Sequence, residues 1–99
     1  MMLGGLTPTK AATPEIQQLA DEVKPQLEAR ENRSFPIFTA VEYRTQVVAG
    51  TNYFIKIDVG HGVYVHVRIF EPLPCNDTEV SLTSYQTGKK ANDPLDYFG

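Results

Sequence analysis

The chain has 99 residues, a net charge of −3 and a single cysteine. That length makes one domain with a modest core. Without a basic excess to pair with phosphates, nucleic acid is excluded as a natural partner. No apolar run approaches a membrane span, the start Met1-Met2-Leu3-Gly4-Gly5-Leu6 lacks the pattern of an export signal, and Cys75 alone cannot form an internal disulfide. These features point to a reducing, intracellular compartment.

Residues 1–12 contain Gly4, Gly5 and Pro8 and little that could pack, and read as a mobile N-terminal trunk. Thr13-Pro14-Glu15 then has the form of a helix start, with a hydroxyl cap, proline at the first helical position and an acid near the positive helix end. Ile16, Leu19, Ala20, Val23 and Leu27 recur at spacings of three and four, which predicts a helix to about Arg30. Pro25 removes one backbone donor inside it and predicts a kink.

Four strand-like segments follow. Over 37–47 the odd positions Ile37, Val41, Tyr43 and Val47 are mostly apolar. Over 53–59 Tyr53, Ile55, Ile57 and Val59 alternate with Phe54, Lys56 and Asp58. Gly60-His61-Gly62 is a tight turn. Over 63–70 Val63, Val65, Val67 and Ile69 alternate with Tyr64, His66 and Arg68. After the connection 71–77, a last strand spans 80–87, and Leu95, Tyr97 and Phe98 supply apolar anchors for a C-terminal tail. One helix followed by an antiparallel meander implies an α+β fold, a sheet of four to five strands wrapped around the N-terminal helix.

Groups for chemistry are sparse. Cys75 follows Pro74 in a loop, with no helix end or cation to lower its pKa. Asp58, His61 and His66 have no spacing that assembles a metal site, and His66 reads as a solvent-facing strand residue. Asp21-Glu22 and the pair Asp93 and Asp96 read as solvated acids. The chain is therefore expected not to be an enzyme and to need no cofactor or metal. The two strings Asn32-Arg33-Ser34 and Asn76-Asp77-Thr78 match a glycosylation acceptor only by chance in a protein without an export signal.

The first hairpin tip is more telling. Gln46-Val47-Val48-Ala49-Gly50 places three apolar residues where a polar turn is normal. Two readings fit: an exposed apolar tip made to enter a groove, or strand residues Val47 and Val48 followed by a plain Ala49-Gly50 turn. The pattern does not choose between them. In a meander that begins with a helix, the trunk, this tip and the 72–76 connection can converge on one edge, a narrow and partly apolar wedge.

Those residues carry a resemblance. Gln46-Val47-Val48-Ala49-Gly50 matches the QxVxG box of the cystatin superfamily of cysteine-protease inhibitors, with Gly4 ahead of it and Leu73-Pro74 behind it. The missing export signal and disulfides resemble the intracellular type, the stefins. Ala12-Thr13-Pro14-Glu15-Ile16 and Val23-Lys24-Pro25-Gln26-Leu27 look like stefin A, whereas Phe35-Pro36 and Tyr97-Phe98 look more like stefin B. The chain thus resembles a stefin intermediate between the two, as a paralogue or an engineered, consensus-type variant.

The resemblance implies a cystatin fold and reversible, tight-binding occlusion of papain-like cysteine proteases, the cathepsins of the L, S, H and B class. Leu3, Gly4 and Gly5 would lie along the non-primed subsites. Gln46, Val47, Val48, Ala49 and Gly50 would cover the walls beside the catalytic cysteine. Leu73, Pro74 and the adjoining Cys75 would touch the primed side. It departs from the stefin B pattern in having Leu3 where a cysteine is usual, and Cys75 after the loop proline. It further implies a cytoplasmic protein that also enters the nucleus, and a monomer able to exchange its first hairpin into a domain-swapped dimer. A stefin-based scaffold redirected to another target is the alternative, against which the intact box and Leu73-Pro74 argue.

Overall fold

The computed structural model describes residues 5–73 and 79–99. Leu3, Gly4, Pro74 and Cys75 lie outside the described residues.

The helix, α1 (Pro14–Glu31), starts where the sequence places it. Thr13 is extended and its hydroxyl accepts from the Ile16 amide, while Pro14 occupies the first turn. It continues through Pro25 and stops at Asn32, whose left-handed backbone (φ 55°) closes the last turn by donating to the Glu28 carbonyl. Ile16, Ala20, Val23 and Leu27 form its buried stripe. A fully buried aliphatic side chain of this kind contributes about 2 kcal/mol.

Five antiparallel strands form one sheet in simple sequence order: β1 (Lys10–Ala11), β2 (Thr39–Val48), β3 (Gly50–Asp58), β4 (Tyr64–Pro72) and β5 (Ser81–Lys89). The face toward the helix carries Ile55, Ile57, Val65, Val67, Ile69 and Leu82, which complete the core with Phe35 and Phe38. Side chains of the helix lock the strands in place. Gln17 donates to the Phe38 carbonyl and accepts from the Ala40 amide, and Gln26 and Arg30 bind the amide and carbonyl of Leu82.

Three features differ from the sequence expectations. The alternation over 37–47 is broken by a bulge between Ala40 and Glu42, so that Ala40 and Tyr43 meet the core while Ile37 and Val41 are exposed. The described part of the N-terminal segment is paired: Lys10 and Ala11 form a short edge strand on β2, and half-buried Ala12 packs against the core. Finally, the tail docks through Leu95, Tyr97 and Phe98 as expected, but it does so over the face of the sheet that carries His66. Residues 90–99 cross it, with Leu95 buried and Phe54 enclosed between Tyr97 and Phe98 at centroid distances of 5.6 and 5.5 Å. His66, expected at the surface, is only 1% exposed beneath this tail.

The two ends of the sheet are built differently. At the far end, the Asp58 carboxylate accepts from the Gly60 amide and three successive residues, Gly60, His61 and Gly62, have positive φ. At the other end the β2–β3 tip, the start of β1 and the end of β4 come together.

Candidate binding edge

β2 and β3 run almost to their junction. Val48 pairs with Gly50, leaving Ala49 alone between the strands. Val47 and Val48 therefore do complete a strand, yet both remain open to solvent, Val47 at 68% and Val48 at 36%, because the tip projects past the helix and the core. Both sequence readings of the tip hold together in this geometry: it is regular strand and it is an exposed apolar projection.

The tip is braced from below. Asn52, buried, donates its side-chain amide to the Gln46 side-chain oxygen at 2.8 Å across the hairpin. Gly50 has φ 126° and is buried against β4; a β-carbon there would fall 2.5 Å from the Glu71 carbonyl oxygen and 2.9 Å from the Phe70 ring. Gly50 pairs with Pro72, so the residue that follows, Leu73, emerges beside the tip, 61% exposed.

The N-terminal segment reaches the same place along the opposite side of β2. After Lys10 opposite Tyr43, Thr7 donates its amide to the Thr45 carbonyl and accepts the Thr45 amide on its hydroxyl, both at 2.9 Å. Arg44 clamps the Thr7 carbonyl at 2.8 Å, and Leu6 forms a bridge with Gln46. Gly5, exposed and with open space where a β-carbon would stand, thus lies level with the base of the tip.

Gly5, Val47, Val48, Ala49, Gly50 and Leu73 accordingly share one edge, with Gln46 at its base. It is convex. A cleft of about 280 Å³ lies lower down between α1 and the sheet, lined by Glu15, Ile16, Leu19, Glu22, Tyr53 and Glu71. There the Tyr53 hydroxyl donates to Glu71 at 3.1 Å, and burial together with that carboxylate raises its pKa. Neither histidine reaches the edge, since His61 is in the far turn and His66 lies under the tail. No group of three metal-ligating side chains occurs among the described residues. An apolar projection with no acid, base or nucleophile among its described residues is suited to filling a cleft in another molecule.

Sequence reasoning did not single out the residues that hold this edge together: Thr7, Arg44 and Thr45 on the trunk side, Phe70 and Glu71 under the tip. Hydrogen bonds between an irregular segment and an edge strand leave no periodic signal. For Glu71, the only hint was its position next to Pro72.

Comparison with known proteins agrees with this geometry. A Cystatin domain matches residues 4–92. The chain is 52% identical to Cystatin-A of Felis catus and 53% identical to Cystatin-B of Bos taurus, in each case over 99% of this chain and 100% of the relative. It is 55% identical to Stefin-C of Bos taurus, over 97% of this chain and 95% of that protein. With one helix on a five-stranded antiparallel sheet, and relatives of both the A and the B type at similar distances, the chain belongs to the cystatin family of cysteine-protease inhibitors.

Proposed function

We propose that this chain is a reversible inhibitor of papain-like cysteine proteases, the cathepsins of the L, S, H and B class, and that it acts by laying its convex edge into the active-site cleft. The observation that carries this reading is the convergence of Gly5, the exposed tip Val47-Val48-Ala49 and Leu73 on that edge. The tip supplies apolar contact on a preformed hairpin, so little conformational entropy is lost on binding. Gly4 lets the backbone pass the catalytic cysteine without a side chain. Leu73 and Pro74, with Cys75 next to them, add the contact on the primed side. The inhibitor presents no carbonyl for attack, so occlusion proceeds without acyl transfer and is reversed by dissociation. The compartment proposed is the cytoplasm, with the nucleus as a second site, on the likeness to stefins.

The test is a papain assay of the unmodified protein beside a serine protease. Tight inhibition of papain with no effect on the serine protease supports the reading; an unaffected papain rules it out.

The connection by Ala49 alone favours a second state. A one-residue link between two long strands can straighten, passing the hairpin to a neighbouring chain. Such a dimer uses up the tip and should not inhibit. Separating monomer from dimer by size and assaying each decides the point, and an inhibitory swapped dimer would sink it.

A further inference from the structure

The polar residues on the second face of the sheet are unusually deep. Lys56 is 3% exposed and His66 is 1% exposed, in register with each other on β3 and β4. Lys56 is accounted for: its ammonium donates to the Ala91 carbonyl at 2.8 Å and lies 3.4 Å from the Glu42 carboxylate of β2. His66 is not accounted for in the same way, because its buried Nε2 has no hydrogen-bond partner. A buried imidazole beside a buried ammonium is stable only while the imidazole is neutral.

The charges around it act in that direction. Burial comes first, then Lys56 of β3 and Lys89 of β5, all opposing a proton on the ring; Asp93 and Asp96 of the tail favour one but do not offset them. Arg68 of its own strand lies on the same face and is already engaged by the Phe98 carbonyl and the Tyr97 hydroxyl. The imidazole pKa falls to about 4, from 6.5 for a free ring.

What separates His66 from water on this face is the tail. Its fastenings are the Ala91 carbonyl on Lys56, the buried Leu95 side chain and the Leu95 carbonyl on Arg44 with Asp96 nearby at 3.6 Å, and Tyr97 and Phe98 on Arg68 and Phe54. The helix-side core shares none of these contacts. A proton forced onto His66 is therefore most readily hydrated by lifting the tail, with β2–β5 and α1 left in place.

We propose that residues 91–99 form an acid-released strap: protonation of His66 beneath them drives the tail off the sheet while the helix and its core stay folded, uncovering Phe54 and Lys56. The sign follows from linkage. The open form takes up a proton near pH 6.5 and the closed form does not, so acidification favours opening through this interval, and the bias stops growing below about pH 4.

The experiment is an NMR titration of the full chain from pH 7 to pH 3, following the His66 ring protons and the backbone amides together. The tail amides should leave their native positions in step with the His66 ring at acid pH, while the amides of Ile55, Val65 and Leu27 remain native. In His66→Gln the tail step should move to lower pH by at least about one unit, a tenfold change in the proton activity needed. A His66 ring that titrates near 6.5 under a closed tail overturns the proposal, and this needs no variant. So does a tail that opens only with the core, or one that opens at an unchanged pH in His66→Gln.

Discussion

Gly50 and Phe70 pack so closely that a methyl group on Gly50 would overlap the phenylalanine ring, at 2.9 Å from its Cζ. The tip of the first hairpin is thus set by its contact with β4, the strand that delivers Leu73. Apart from this crowding, φ of 126° at Gly50 is a conformation L-residues rarely adopt. Gly50→Ala should therefore destabilise the protein by about 2 kcal/mol or more, since strained backbone and overlap both oppose it. Thermal unfolding measures the loss, and inhibition of papain should weaken in parallel as the tip and Leu73 move apart. A variant of unchanged stability would show that the tip is free of β4.

Val48→Asp separates contact from folding. The side chain is exposed at the tip, so replacing it should change stability by less than about 0.5 kcal/mol. In a protease cleft the same carboxylate would be desolvated without a partner, which costs several kcal/mol and should weaken inhibition of every papain-like target at least a hundredfold. Retained inhibition constants in Val48→Asp would remove the tip from the binding edge.

Gly4→Arg addresses the trunk. Its neighbour Gly5 has open space where a β-carbon would stand, and among the described residues the first bridge to the sheet is at Leu6, so the substitution should leave the thermal midpoint unchanged. On the proposed wedge it should weaken inhibition of endopeptidases tenfold or so, about 1.4 kcal/mol, because a bulky side chain enters where the backbone passes the reacting centre. Equal inhibition by Gly4→Arg and the unmodified chain would leave the trunk out of binding.

Much of this was legible in the sequence because regular structure is periodic. Thr13-Pro14 and the spacing of Ile16, Ala20, Val23 and Leu27 mark the helix, and strict alternation marks β3 and β4. The string from Gln46 to Gly50 marks the tip. What stayed hidden depends on irregular chain covering regular chain. Val41 reads as an inward residue until the bulge at Ala40 turns it out. His66 reads as solvent-facing because the tail anchors Leu95, Tyr97 and Phe98 do not reveal which face they cover, and the tail lies over it together with Lys56 and Arg68. Alternation distinguishes two faces of a strand but does not say what packs on the more polar one. Thr7 and Thr45 likewise meet through backbone groups, which every residue possesses.

That tail can be tested directly by ending the chain at Asp96. Phe54, fully buried, loses both aromatic neighbours, and the Arg68 guanidinium loses the Phe98 carbonyl at 2.9 Å and its stacking on Tyr97 at 5.1 Å. Re-exposing one side of a phenylalanine and giving up its ring pairs should cost about 2 kcal/mol at neutral pH, or roughly 10 °C in the midpoint of a domain this size. Lost dispersion and apolar burial dominate over the exposed polar contacts, so the loss should persist in high salt, where a loss of ion pairs alone would fade. Acid supplies the sharper comparison. If the strap lifts when His66 takes a proton, the last three residues contribute nothing once it is open, and the gap between full-length and shortened chains should shrink as the pH falls from about 6.5 toward 4. A gap that stays constant from pH 7 to pH 3 would mean that the tail holds to the sheet whether His66 is charged or not.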